Sequence, residues 1–288
     1  MDIGKIKTDY DGFKRIIEIA NQITSDPSKG LELKMANWVD ANMCAPLGAI
    51  LHKHNLQGNR IQISEISKRV QEVMQKNHFL QKFGVIEKPD SYHTTIEYRQ
   101  FEDTNEFHRK QFQEYVNKYF KSKSMGFPHM TPELIKKFRE SLYEIFLNAI
   151  EHSDTRCGIF ACGQFFPGKH KLIFTIADLG IGIDGNIEKN LGVKLSSENA
   201  IKWALSGKTT RRDRPGGLGL QLIQEFISLN NGQLIIVSGS GYGELKSGSI
   251  LAEKYSERFP GTVVTISIDT ADKKSYCLSS EIDQKAIF

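Results

Sequence analysis

Glu144 and Asn148 stand one helical turn apart in a segment, 134–150, whose apolar residues recur with a period near 3.6. At i and i+4 they share one helix face. A carboxylate placed there can orient a water as general base, and a carboxamide can lend an oxygen to a magnesium ion that also touches phosphate. Taken alone, such a pair is usually just a polar helix face. Further on, the apolar run Leu172-Ile173-Phe174-Thr175-Ile176-Ala177 closes with Asp178-Leu179-Gly180-Ile181-Gly182. An aspartate at a strand end can accept a hydrogen bond from an exocyclic amine, and Gly180 and Gly182 let backbone come close to a planar ring. The third set is Gly216-Gly217-Leu218-Gly219, preceded by Arg211, Arg212 and Arg214 and followed by the helical pattern of 221–227. Such a turn brings backbone N–H groups against an anion at a helix N-terminus, although glycine-rich turns also occur in plain loops.

Several elements must hold these groups. Thr131 is placed to cap the helix of Glu144, with Pro132 at its first position. Strands are expected at 172–177, 233–238 and 261–268, and 239–260 reads as an irregular excursion. A helix is expected at 105–120, ended by Lys121-Ser122-Lys123-Ser124-Met125-Gly126-Phe127-Pro128. Earlier in the chain the pattern alternates: helix at 11–23, strand at 31–35, helix from 41 to 52 capped by Asp40, strand at 59–63, helix at 65–77, loop at 83–93, strand at 94–101. These spacings divide the chain into a small α/β module at 1–100, a larger unit at 101–270 and a polar tail at 271–288, either loose or a partner contact.

In their order, Glu144-x-x-x-Asn148, Asp178-x-Gly180-x-Gly182 and Gly217-x-Gly219 resemble the N, G1 and G2 boxes of the GHKL ATP-binding fold. DNA gyrase B, sensor histidine kinases, MutL and anti-sigma-factor kinases share that fold, and the resemblance runs over 131–269. It implies an α/β architecture of the α+β two-layer sandwich kind, a mixed sheet with helices on one face. It also implies ATP and Mg²⁺. Asp178 would receive the adenine amino group, Gly180 and Gly182 would line the base, and Asn148 would ligate Mg²⁺. Glu144 matches the general base of the hydrolysing branches. Gly216, Gly217, Leu218 and Gly219 would present N–H groups to the phosphates. The resemblance further implies a mobile lid at 191–215, in which Lys208, Thr209, Thr210, Arg211, Arg212 and Arg214 carry donors able to reach a triphosphate. A solvated basic loop would have the same composition.

Upstream, Trp38-Val39-Asp40-Ala41-Asn42 through Leu51 is similar to the strand-to-helix junction of STAS-like domains, the small α/β modules of sulfate transporters and anti-sigma-factor antagonists. A Ser or Thr near that junction is the phosphorylated residue in such modules. Here Asn42 and Cys44 take its place, so a phosphorylation switch is not expected.

The remaining composition narrows the function classes. At 288 residues, 39% hydrophobic and 25% charged, the chain has the make-up of a globular protein rather than a disordered one. A net charge of +4 comes without a basic block or stripe, so nucleic acid is not expected as a partner. Cys44, Cys157, Cys162 and Cys277 lack metal-ligand spacing and read as reduced thiols. His52 and His54, at i and i+2, point to different helix faces and read as solvated helix-end residues. No apolar run approaches the roughly 18 residues of a spanning helix, which predicts a cytoplasmic protein without membrane contact. The expected function is Mg²⁺-dependent ATP binding with slow hydrolysis, lid closure acting as a switch on a protein partner or a second copy. A protein Ser/Thr or His kinase in a partner-switching system is the alternative, although His108-Arg109 lacks the acidic neighbour of a phosphoacceptor His. A non-enzymatic nucleotide- or nucleic-acid-binding module is the other.

Overall fold

The computed structural model describes residues 1–25, 30–102, 106–121, 125–210 and 218–283. Its centre is a five-stranded sheet built from β3 (Thr95–Phe101), β5 (Ile159–Phe166), β6 (Lys171–Asp178), β7 (Gln233–Lys246) and β8 (Ser249–Asp269). The order is β3-β5-β6-β8-β7, and every neighbouring pair is antiparallel. The sheet is therefore not mixed as expected. A sheet of this kind with helices laid against it is compatible with a GHKL-type sandwich.

Period-two alternation assigns each strand residue to one of two cores. Ile159 and Ala161 of β5, and Leu234 and Ile236 of β7, face one core, while Phe160, Cys162, Ile235 and Val237 face the other. The first core is closed by α4 (Glu106–Tyr119), α5 (Pro132–His152) and α8 (Leu218–Asn230). The helix α5 begins as its sequence specifies: Thr131 Oγ1 accepts from the Leu134 amide at 3.3 Å, with Pro132 following. Phe138, Leu142 and Phe146 then form its fully buried stripe.

The second face is not open. The N-terminal segment contributes α1 (Tyr10–Ser25), β1 (Leu31–Met35), α2 (Cys44–Leu56), β2 (Ile61–Ile66) and α3 (Lys68–Lys76). Strands β1 and β2 pair in parallel across α2, while α2 packs on β5 and β6 and α1 on β8. Helices thus cover both faces, against the expectation of one, because Phe160, Cys162 and Val237 need apolar partners as much as the opposite face does. A polar seam runs through this second core. Thr8 donates to Asn42 Oδ1 (3.0 Å), Asn42 Nδ2 donates to Thr175 Oγ1 (3.0 Å), and the Thr175 and Thr265 hydroxyls meet at 2.9 Å. Asn42 is fully buried by it. This arrangement does not show a STAS-like module.

Four local expectations are corrected. Asp40 caps nothing; its carboxylate accepts from the Thr8 amide and hydroxyl and from the Trp38 indole. His54 is buried rather than solvated, at 2% exposure. The stretch 239–260 is strand on both sides: β7 and β8 continue as one hairpin, with register shifts on either side of Gly239, through the two-residue turn Ser247-Gly248, both with positive φ. The tail is docked in part, with β9 (Ser275–Tyr276) parallel to β4 (His129–Met130) and Glu281 of α9 (Ser279–Asp283) accepting from Thr131.

The hairpin is held by what lies on each side. Tyr242 and Tyr255 point toward α1, where Tyr10 stacks on Tyr255 with centroids 4.5 Å apart and meets Tyr242 edge-on. On the other side lies α7 (Ser197–Leu205). A Cβ added at Gly241 would come within 2.7 Å of the Ser197 backbone, and one at Gly243 within 2.4 Å of Ile201. The glycines are the bare strip on which a helix rests.

Candidate functional site

On the α5 side of the sheet a cavity of ≈ 170 Å³ opens between α5, the strand ends and α6 (Gly182–Leu191). Its floor is aliphatic: Ile145 and Ala149 from α5, Ile176 from β6, Ile236 from β7 and Val264 from β8. These are inward positions of their strands and of the α5 stripe, so the same periodicity that builds the core lines the cavity. An apolar cavity of about 150 Å³ takes benzene. This one has room for a planar ring.

One polar atom is aimed into it without a protein partner. Asp178, at the C-terminal end of β6, is 3% exposed, and its Oδ1 has no hydrogen bond. Burial pushes its carboxyl up to about 7, against hydrogen bonds from the Gly180 and Thr262 amides that pull it down. Desolvation outweighs both donors because the ionised oxygen faces an apolar wall. A buried acceptor left in this state is completed by a donor on a ligand. Thr262, which also lines the cavity, is the direct cross-strand neighbour of Asp178. Strand register is a non-local property, so sequence reading passed over it.

The other expected residues separate into three groups. Asn148, Asp178, Gly182, Lys208, Thr209 and Thr210 all line this one cavity. Gly182 adopts φ +77°, and with the Ser238 hydroxyl accepting from the Ile183 amide (2.8 Å) it turns the chain from β6 into α6. Gly180 is drawn instead against α5's end: a Cβ there would lie 2.0 Å from the Ser153 carbonyl oxygen, which accepts from the Ile181 amide. Glu144 is not among the lining residues. Its Oε2 accepts from the Gly219 amide at 2.9 Å, so the carboxylate sits at the N-terminus of α8, and a Cβ on Gly219 would come within 2.6 Å of it. Leu218 is the first residue of α8. Gly216 and Gly217, with Arg211, Arg212 and Arg214, lie outside the described residues.

Within the expected lid, 197–205 is the helix α7, with Ala200 and Ile201 fully buried against β7. In this structure that part of the segment belongs to the fold. It also brings Trp203 to the cavity, a residue that the expected lid at 191–215 does not single out. An aromatic residue two positions after the buried Ile201 was the available signal. Among the described residues no cluster of three or more His, Cys, Asp or Glu side chains is placed to hold a metal. The four cysteines are unpaired. No described helix is long and apolar enough to cross a membrane.

No family model matches the chain, and no curated protein matches it. Among solved structures, the histidine kinase domain from the Erythrobacter litoralis EL346 blue-light activated histidine kinase is similar at 14% identity, covering 89% of this chain and 94% of that one. The TM-score is 0.28, and a likeness of that size carries no argument about the site. The geometry around Asp178 has to carry it.

Proposed function

We propose that the chain binds ATP in this cavity, with the adenine amino group donating to Asp178 Oδ1. The observation that carries the reading is the unpartnered, fully enclosed carboxylate oxygen facing an aliphatic slot of ring size. An exocyclic amine supplies the missing donor and favours the ionised carboxylate, while Ile145, Ile176 and Val264 give the base an apolar floor. Lys208, Thr209 and Thr210 at the rim then reach toward the phosphates. The Asn148 carboxamide oxygen in the same cavity suits a Mg²⁺ ion whose remaining ligands are phosphate oxygens and water, since Mg²⁺ does not require an all-protein cage. Bound there, the ion would supply positive charge at the phosphates.

Hydrolysis needs a base, and Glu144 serves as one only when its carboxylate leaves the Gly219 amide to face water. That hydrogen bond favours a second reading beside slow hydrolysis. With Glu144 retained on α8, the site holds ATP as a switch or passes the phosphoryl group to a protein hydroxyl or imidazole. The unit 101–270 would be the nucleotide-binding part, and the segment 1–100 the part that meets a partner or a second copy.

Titration calorimetry with ATP and Mg²⁺ tests the first claim: heat that disappears in Asp178→Asn is expected, and no heat in the wild type refutes it. Incubation with γ-labelled ATP divides the rest. Free phosphate that is lost in Glu144→Ala supports hydrolysis, and label on a protein supports transfer.

A further inference from the structure

We propose that Trp203 is the aromatic wall of this site, the surface on which the planar ring of the ligand stacks, so that α7 is a recognition element for the base and not only a cover. The inference rests on the nucleotide reading and adds a residue and a chemistry to it. Trp203 is the sole aromatic side chain among the described residues lining the cavity, and it comes from α7, whereas the aliphatic floor comes from α5 and the sheet. Its indole is half-buried and stacks on no other ring or cation among the described residues. The chain's other tryptophan, Trp38, is by contrast covered by the Arg69 guanidinium at 4.5 Å. A large ring lining a cavity, with no ring or cation stacked on it among the described residues, offers a face to a planar ligand.

Its position is fixed by backbone. Ile201 and Ser197 press α7 directly onto the bare strand at Gly241 and Gly243, with no side chain between, so the helix has a defined height above the sheet. Trp203, two residues beyond Ile201 on the same helix, is carried with it to the lining of the cavity. Asp178 reads the amine at the ring's edge, and Trp203 takes its face. Base–aromatic stacking removed by substitution costs about tenfold in affinity.

Trp38→Phe leaves Trp203 as the single indole and makes its emission the reporter. Adenosine is expected to change that emission saturably, and inorganic tripolyphosphate to leave it unchanged. By calorimetry, Trp203→Leu, which keeps apolar volume without a π face, is expected to weaken adenosine about tenfold, while Trp203→Phe retains most of the affinity. Circular dichroism melts of each variant show that α7 is still in place. Adenosine binding that requires Asp178 but is unchanged in Trp203→Leu, with no emission change in Trp38→Phe, overturns this inference and leaves the nucleotide reading standing. No adenosine binding by the wild type overturns both.

Discussion

Replacing Asp178 by asparagine is expected to stabilise the protein at pH 8 and not at acid pH, even as it removes ligand binding. The carboxyl is held near 7 in the folded chain by burial, and an unfolded chain returns it to an ordinary value near 3.8. Between those values the native state keeps a proton that the unfolded state has released. Stability therefore falls as pH rises through this window and levels off above 7, where both states are ionised. A shift of about three units amounts to about 4 kcal/mol in full, of which about 3 kcal/mol accrues between pH 5 and 8. That is a large part of the 5 to 15 kcal/mol that typically separates folded from unfolded. Asparagine has the same shape, accepts from the Gly180 and Thr262 amides as the acid does, and carries no charge at any pH. Urea unfolding of both proteins at steps from pH 5 to 8 measures the difference, and pH-dependence common to both cancels. An advantage for Asp178→Asn that grows by about 3 kcal/mol across the range is the expected result. A difference constant to within about 1 kcal/mol would refute the claim that burial holds the Asp178 carboxyl well above its ordinary value.

Three further outcomes follow from the same geometry. Because an amine donor favours the ionised acid, adenosine affinity is expected to weaken about tenfold per pH unit below 7 and to be flat above it; calorimetry across pH 5.5 to 8 checks this, and a flat profile would exclude Asp178 as the acceptor. Glu144→Ala takes the acceptor from the first turn of α8 at a cost of about 1 kcal/mol, and Gly219→Ala, whose Cβ would lie 2.6 Å from Glu144, costs about 1 to 3 kcal/mol. A double-mutant cycle by urea unfolding is expected to show that the second cost largely vanishes once Glu144 is absent. Gly243→Val drives a side chain into Ile201 and is expected to weaken both folding and adenosine binding by displacing α7, whereas Thr131→Ala costs about 1 kcal/mol of stability alone; paired melts and titrations separate the two.

What could be read in advance was what depends on near neighbours in the chain. Thr131 and Pro132 mark the start of α5, the alternation of Leu31 to Met35 marks β1, and an apolar run ending in Asp178 marks β6. The strand directions were not legible because pairing is settled by residues far apart, as in the match of Asp178 with Thr262. The stretch 239–260 reads as an irregular excursion, yet only the register about Gly239 shifts and the rest is strand. The absent side chains of Gly241 and Gly243 are required by a helix whose contact with that strand no local pattern announces. Asn42 and Cys44 stand where the resemblance puts a modified Ser or Thr, and their burial under the sheet gives them a packing role. The cavity set was legible as types and spacings for Asn148, Asp178 and Gly182. The place of Glu144 at the N-terminus of α8 was not, since its spacing to Asn148 suits either neighbour.

The hairpin gripped between α1 and α7 also imposes an order on biosynthesis. Tyr10 is bonded to Tyr255 across 245 residues, and Phe13, Ile16 and Ile17 share a core with Tyr242 and Phe259. At a translation rate of about 5 to 20 residues per second, the first helix waits about 12 to 50 s for the strands that cover it. Through that interval its apolar stripe is available to chaperones and to other nascent chains. The last long strand to leave the ribosome is thus the one that completes the packing of the first helix.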